Sequence, residues 1–338
     1  MEALEIHVPK AGDARILQPR RVILPPPGPS QVRVKIEAAG VAYADIVMRR
    51  GLYSSAKPPV TPGYDFVGRV ETVGAEGSEF QIGQRVAGVT VSGSYADRRN
   101  VEARWLVPAP EGADAAALAA VVLNGVTAWQ MLHRVVQAEA GEWTLVHGAA
   151  GGVGSLLLDF ARLAGIKAIG AASRGKHDTV QSRGGVALDY QAEDVAARAR
   201  AISGGGVVAA FDHIGGQHFR KVSLPALKPT GVGVLYGGYD TTRGGKVHPL
   251  AIADMMLGSR FSAFALFGNS QSVATYAIPA WREARAQAYR DDLATVLRLV
   301  AEGAVAPLIG EILPLRDAAK AHRAMESRSV SGKIVLVP

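Results

Sequence analysis

Thr144-Leu145-Val146-His147-Gly148-Ala149-Ala150-Gly151-Gly152-Val153-Gly154 decides the fold. An apolar run ends in a glycine cluster, and Ser155 to Ala164 follows with apolar residues at helical spacing. The order is strand, tight turn, helix. Gly165 stops the helix, and Ile166-Lys167-Ala168-Ile169-Gly170-Ala171-Ala172 reads as a second strand. The whole fits a βαβ crossover of about 30 residues. Its glycines let backbone N–H groups approach a pyrophosphate at the positive end of the helix. The turn therefore predicts dinucleotide binding through Ala150, Gly151, Gly152 and Val153. Ala149 stands where the strict G-x-G-x-x-G pattern has its first glycine.

Downstream, strands are expected near 143–148, 167–172, 186–189, 207–211, 231–235 and 261–264, with helices between most of them. That alternation is the doubly wound α/β pattern, here with a six-stranded parallel sheet. Upstream, Gln31 to Ala38 alternates apolar and polar residues as a half-buried strand does. Gly40 to Gly51 holds a short helix, Pro58 to Asp65 is a rigid loop, and strands follow at 66–74, 84–89 and within 95–107. Residues 113–136 are Ala-rich and helical, with a break expected at Asn124-Gly125. Asp291 to Ala301 is amphipathic, and 307–313 and 332–337 read as strands that return to the first domain.

The 338 residues allow one large domain or two, and 48% hydrophobic with 20% charged residues suits a globular chain with ample core. No run of 18 apolar residues occurs, so no membrane span is expected. The acidic start Met1 to Glu5 lacks a signal-peptide core, which reads as cytoplasmic. The absence of Cys removes disulfides, thiolate nucleophiles and Cys-ligated zinc. A charge of +7 permits a nucleic-acid partner, but the basic residues are scattered and form no run longer than two.

Six ordered stretches carry a family resemblance. They are Gly40-Val41 with Asp45, Pro62 to Gly68, Asn124 to Trp129, His147 to Gly154, Phe211-Asp212 with Gly215-Gly216, and Ser331 to Leu336. The chain resembles the medium-chain dehydrogenase/reductase superfamily, within it the zinc-free quinone oxidoreductases of the ζ-crystallin-like branch. The resemblance implies a GroES-like, β-rich catalytic domain over 1–122, completed by 304–338. It also implies a Rossmann domain over 123–303, a cleft between the two, and a homodimer.

Zinc members carry a Cys after the first Gly-Val and a His in Gly-His-Glu. Here Ala42 and Tyr64 stand in those places, and Leu123-Asn124 where a third ligand is expected. Ala and Leu cannot ligate a metal and neutral Tyr is a poor zinc ligand, so no metal is expected. Without a Lewis acid, alcohol oxidation loses its means of stabilising an alkoxide, which favours reduction of a quinone or a carbonyl-conjugated alkene.

NAD enzymes of this fold carry an acid about 20 residues past the glycine turn. Here Ala171-Ala172 run into Ser173, Arg174 and Lys176, which supply a hydroxyl and positive charge for a 2′-phosphate. Otherwise Arg174 and Lys176 merely solvate a loop. Tyr190 matches a tyrosine that NADPH-using relatives place on that phosphate, so NADPH is the expected cofactor.

Tyr43, Tyr53 and Tyr64 are candidate donors to the oxygen that gains charge, and each is also a candidate packing residue. Asp45 and Asp65 orient their loops. The resemblance places Asn124 and Thr127 near the nicotinamide. Gly237, Gly238 and Tyr239 follow a Rossmann strand and approach the cofactor. Phe267 is expected at the nicotinamide edge, with Phe261 and Phe264 as pocket roof or core, and Lys333 touches cofactor or closes the sheet. Hydride transfer from NADPH to a quinone or enone is the leading reading. An enoyl reductase or tailoring enzyme of a biosynthetic pathway is the second, and a non-catalytic crystallin-like nucleotide- or RNA-binding protein the third.

Overall fold

The computed structural model describes residues 1–76, 79–238, 241, 247–327 and 329–338. The chain forms two compact units. One is built from Met1–Val126 and Pro279–Pro338, the other from the described residues of Thr127–Arg243 and Val247–Ile278.

In the first unit the strands are β1 (Glu2–His7), β2 (Gln18–Ile23), β3 (Gln31–Val41), β4 (Asp65–Val73), β5 (Arg85–Val89), β6 (Arg98–Glu102) and β7 (Leu106–Pro108). The second unit supplies β8 (Trp143–His147), β9 (Lys167–Ala172), β10 (Val186–Asp189), β11 (Val207–Asp212), β12 (Leu227–Leu235) and β13 (Ser272–Thr275). β14 (Ile309–Pro314) and β15 (Lys333–Val337) then complete the first unit's sheet, ordered β14-β15-β3-β4-β5-β7 with β6 also on β3. β15 runs antiparallel to β3 with Val335 opposite Gly40, so the C-terminal strand does return to the N-terminal sheet.

The second unit's sheet is ordered β10-β9-β8-β11-β12-β13 and is parallel throughout. Such sheets are covered on both faces, which is why β9 and β11 read as apolar runs rather than alternations. Strand order reverses between β8 and β11, the switch point where ligands of doubly wound sheets bind.

Three expectations are revised. The sixth strand is Ser272–Thr275, and the apolar stretch near 261–264 enters a short helix, Ala263–Phe267. The Ser262 hydroxyl caps that helix by accepting the Phe264 amide at 3.2 Å. The helix Ala115–Gln130 runs unbroken through Asn124-Gly125. Gly125 serves close packing instead, since a Cβ there would lie 2.5 Å from Val296 Cγ1. The helix Ala286–Ala301, expected with 123–303, belongs to the first unit. Its Tyr289 hydroxyl accepts from the Val89 amide at 2.9 Å and donates to the Trp105 carbonyl at 3.2 Å.

Among the described residues, Ala115–Val135 is long and apolar enough to cross a bilayer, with mean hydropathy 1.5, yet its window is 83% buried inside the protein. Asn124, Thr127 and Gln130 interrupt its apolar run without charging it.

Candidate functional site

In the first unit, Ala42 precedes the helix Tyr43–Arg49, and the Asp45 carboxylate folds back over its start. Asp45 accepts from the Ala42 amide at 2.8 Å, the Gly63 amide at 3.0 Å and the Tyr95 hydroxyl at 3.1 Å. It thereby ties the helix to the loop that delivers Tyr64. Arg49 Nη1 can only donate, so it fixes His322 Nδ1 as acceptor at 3.2 Å. His322 Nε2 then carries the proton and donates to Tyr95 at 3.1 Å, and Arg49 also pairs with Glu326. Burial pushes Asp45 up to about 7, opposed by its two amide hydrogen bonds. Burial, reinforced by Arg49, holds His322 neutral.

Tyr64 is 2% exposed, and its hydroxyl lies 2.6 Å from that of half-buried Tyr53, the rings edge to face at 6.2 Å. Burial and then the Tyr53 neighbour push the Tyr64 phenol above its usual range, so it stays neutral. Tyr43, also half-buried, opens the neighbouring helix. Asp65 is buried against Lys333, whose ammonium lies 3.2 Å away, and accepts the Leu123 amide at 3.0 Å. Lys333 therefore closes the sheet onto Asp65. Asn124 and Thr127 stand three positions apart on one buried helix face.

In the second unit, Gly148 turns at φ 63 and Gly151 caps the helix Gly152–Leu163. A Cβ on Gly154 would overlap the Gly148 carbonyl, so the turn and the helix touch backbone to backbone. Ala149 and Ala150 are buried beneath, while Gly151, Gly152 and Val153 reach the surface at a helix start whose first amides lack intrahelical partners. This cradle fits a pyrophosphate. At the end of β9, Ser173 is half-buried and the Arg174 and Lys176 side chains have no hydrogen-bond or ion-pair partner among the described residues. Asp189 pairs with Ala172, so Tyr190, 46% exposed, comes level with Ser173. Two free cations, a hydroxyl and a phenol at one strand end fit a 2′-phosphate.

Beyond β12, Gly237 packs on the His213 backbone, where a Cβ would come within 2.7 Å of its carbonyl oxygen, and Gly238 packs on Met255. Tyr239 lies outside the described residues. Phe267 is exposed and stacks on exposed Phe264 at 6.3 Å, whereas Phe261 approaches buried Phe219 at 6.4 Å.

The sequence did not disclose a polar network at the switch point. The Asp212 carboxylate accepts Ser223 Oγ at 2.5 Å, His218 Nδ1 at 2.9 Å and the amides of Ile214 and Gly215. Ser223 gives its one proton to Asp212, so His147 Nε2 donates to it at 3.1 Å. His147, Asp212 and His218 hold potential ligand atoms within 4.8 Å of one another, but these hydrogen bonds already occupy them. Burial drives His147 down to about 3. Residues 147, 212, 218 and 223 are too far apart in sequence for spacing to group them. The Phe211-Asp212 stretch with Gly215-Gly216 was the only signal.

Two family models match, the alcohol dehydrogenase GroES-like domain over residues 28–111 and zinc-binding dehydrogenase over 185–336. The chain is 32% identical to a 2-haloacrylate reductase of Burkholderia sp. over 322 residues, covering 92% of each. It is 31% identical to the synaptic vesicle membrane protein VAT-1 homolog of Rattus norvegicus over 327 residues, covering 95% of this chain and 80% of that protein. The Escherichia coli quinone oxidoreductase solved with NADPH superposes with a TM-score of 0.87 at 25% identity over 100% of both chains. With the glycine-turn unit, the GroES-like unit and no zinc ligand set at positions 42 and 64, the chain belongs to the zinc-free quinone oxidoreductase branch of the medium-chain dehydrogenase/reductase superfamily and is an oxidoreductase.

Proposed function

We propose that this chain, an NADPH-dependent oxidoreductase, reduces a quinone or the activated double bond of an α,β-unsaturated carbonyl compound. The observation that carries the reading is the Tyr53–Tyr64 pair at the place of a lost metal ligand. Neutral phenols donate a hydrogen bond to an oxygen that gains charge, but they are no Lewis acid for a simple alcohol. Bound NADPH supplies the hydride. The Gly151–Val153 helix start holds the pyrophosphate, and Ser173, Arg174, Lys176 and Tyr190 receive the 2′-phosphate. Tyr53, the more accessible phenol, donates to the substrate oxygen while Tyr64 orients it. For an enone, hydride adds to the β-carbon, the carbon–carbon double bond shifts its electron pair to the enolate oxygen, and the enolate then takes a proton from water at the α-carbon. Tyr43 and Asn124 in the first unit and Thr127, Gly237 and Gly238 in the second are the further residues assigned to the reaction, and Lys333 acts through Asp65.

The protein works as a homodimer. Leu250, Met256, Leu257, Phe264 and Phe267 of the second unit are exposed, and Phe264 and Phe267 lie in the short helix that precedes β13, the sheet's edge strand. Light scattering on purified protein reads the dimer directly. Mass spectrometry of the products tests the reaction. A saturated ketone from an enone, or a hydroquinone from a quinone, supports it, and unchanged acceptors with every quinone, enal and enoyl thioester tried refute it.

A further inference from the structure

Buried guanidinium groups need acceptors, and most in the first unit have them. Arg49 pairs with Glu326, Arg85 with Glu37, and Arg33 gives hydrogen bonds to Asn100 Oδ1 and the Pro25 carbonyl. Arg49 Nε is without a partner too, but its charge meets Glu326, whereas Arg99 and Arg282 give their Nη1 to backbone carbonyls. Arg282 is 7% exposed, gives Nη1 to the Val89 carbonyl, lies 4.1 Å over the Trp105 ring, and leaves Nε without a partner. Arg99 gives Nη1 to the Ser92 carbonyl, and its buried Nε is also orphaned. An unmade bond at a buried charged donor is costly.

The same short loop carries both groups to Tyr64. Arg282 holds its start at Val89, Arg99 holds Ser92, and between them the Thr90 amide donates to the Tyr64 carbonyl at 2.8 Å. Val91 sits at φ 75, a left-handed conformation that a β-branched residue rarely takes. Gly93, at φ +93, leaves the space that the Arg99 guanidinium fills, since a Cβ there would overlap it.

Among the described residues, negative charge balances the pair only in part. Glu5 acts on Arg99, but its carboxylate is already paired with Arg20 at 2.5 Å. Glu283 lies 3.4 Å from Arg282, with its side chain 54% exposed. Burial lowers the Arg99 guanidinium to about 10; Glu5 opposes this and the Arg282 charge adds to it. Two like charges are thus held together in a partly desolvated place on the loop that bonds the Tyr64 carbonyl, and the Arg282 charge also acts on the Tyr64 phenol.

Resting on the reductase reading above, we propose that Arg99 and Arg282 form an anion subsite next to Tyr64, and that the substrate is an α,β-unsaturated carbonyl compound carrying a carboxylate. A carboxylate matches the guanidinium fork in geometry and charge. It would anchor the substrate at one end while the carbonyl oxygen meets the phenols.

Benzoylacrylate and its methyl ester test the proposal, because they share the alkene and ketone and differ in charge. The ester is the more electrophilic, so intrinsic reactivity alone favours it. The subsite predicts a higher kcat/KM for the acid with the wild type. Arg99→Gln should lower kcat/KM for the acid by about 10- to 100-fold, the size of one charge-assisted contact, and abolish the acid's advantage. The same acid-to-ester ratio in wild type and variant overturns the subsite. Calorimetric titration with the saturated analogue benzoylpropionate separates this from the reaction itself. Binding to wild type that weakens in Arg99→Gln and in Arg282→Gln upholds the subsite even where no substrate is reduced. No binding of the saturated acid to folded wild type overturns it.

Discussion

The Tyr53 and Tyr64 hydroxyl oxygens lie 2.6 Å apart, with Tyr64 buried behind and Tyr53 in front. A buried phenol that gives its proton to a second phenol makes the outer hydroxyl the better donor. Tyr53→Phe should therefore lower kcat by about 100-fold or more, in the range of a lost oxyanion donor. Tyr64→Phe should lower it less, and neither should change the KM for NADPH. Steady-state kinetics of both variants check the order. A larger loss from Tyr64→Phe would make Tyr64 the direct donor, and unchanged rates would make both pocket walls.

Asp65 and Lys333 form an ion pair in which both side chains are almost fully buried. Removing one partner leaves the other charged and unpaired in the core. Lys333→Met should cost about 3–5 kcal/mol of stability. Denaturant unfolding measures it, and a loss within about 0.5 kcal/mol, as for an exposed position, would contradict a structural role for the pair.

How far the sequence was legible depended on the range of the interaction. The glycine turn, the parallel strands and the return of β15 to β3 follow from local pattern, because periodicity and backbone approach are local properties. The sixth strand falls at Ser272–Thr275 and not near 261–264, where Phe261 and Phe264 resemble a strand interior although Phe264 is exposed on a short helix. Asn124-Gly125 looked like a break because a glycine that admits Val296 cannot be told from one that ends a helix. The Glu326–Arg49–His322–Tyr95–Asp45 chain spans about the whole first unit in sequence, and only folding brings it together.

Acid sensitivity should come partly from His147. Burial lowers its folded pKa to about 3 from 6.5, so the folded state binds a proton less readily than the unfolded chain. Its contribution is present above pH 6.5 and is lost as pH falls toward 3, by about 1.4 kcal/mol per pH unit. Chemical unfolding of wild type and His147→Asn across this range should give a shallower fall for the variant. Parallel curves would place the acid-sensitive group elsewhere.

Among the described residues, Arg174 and Lys176 have no acceptor at the end of β9, and no acid follows that strand directly to bind a ribose hydroxyl. Lys176→Ala should weaken NADPH by about 1.5–3 kcal/mol and scarcely affect NADH, as fluorescence titration of both cofactors would show. Equal weakening of both would assign Lys176 to the fold.

The most direct test is the rate of reduced-nicotinamide oxidation by purified protein with a quinone and with an enone, using NADPH and NADH in parallel and a chelator present throughout. The account predicts turnover that needs the acceptor, prefers NADPH and survives the chelator. Oxidation of a simple alcohol with NADP⁺ that the chelator abolishes, or no turnover with any quinone or enone, would contradict it.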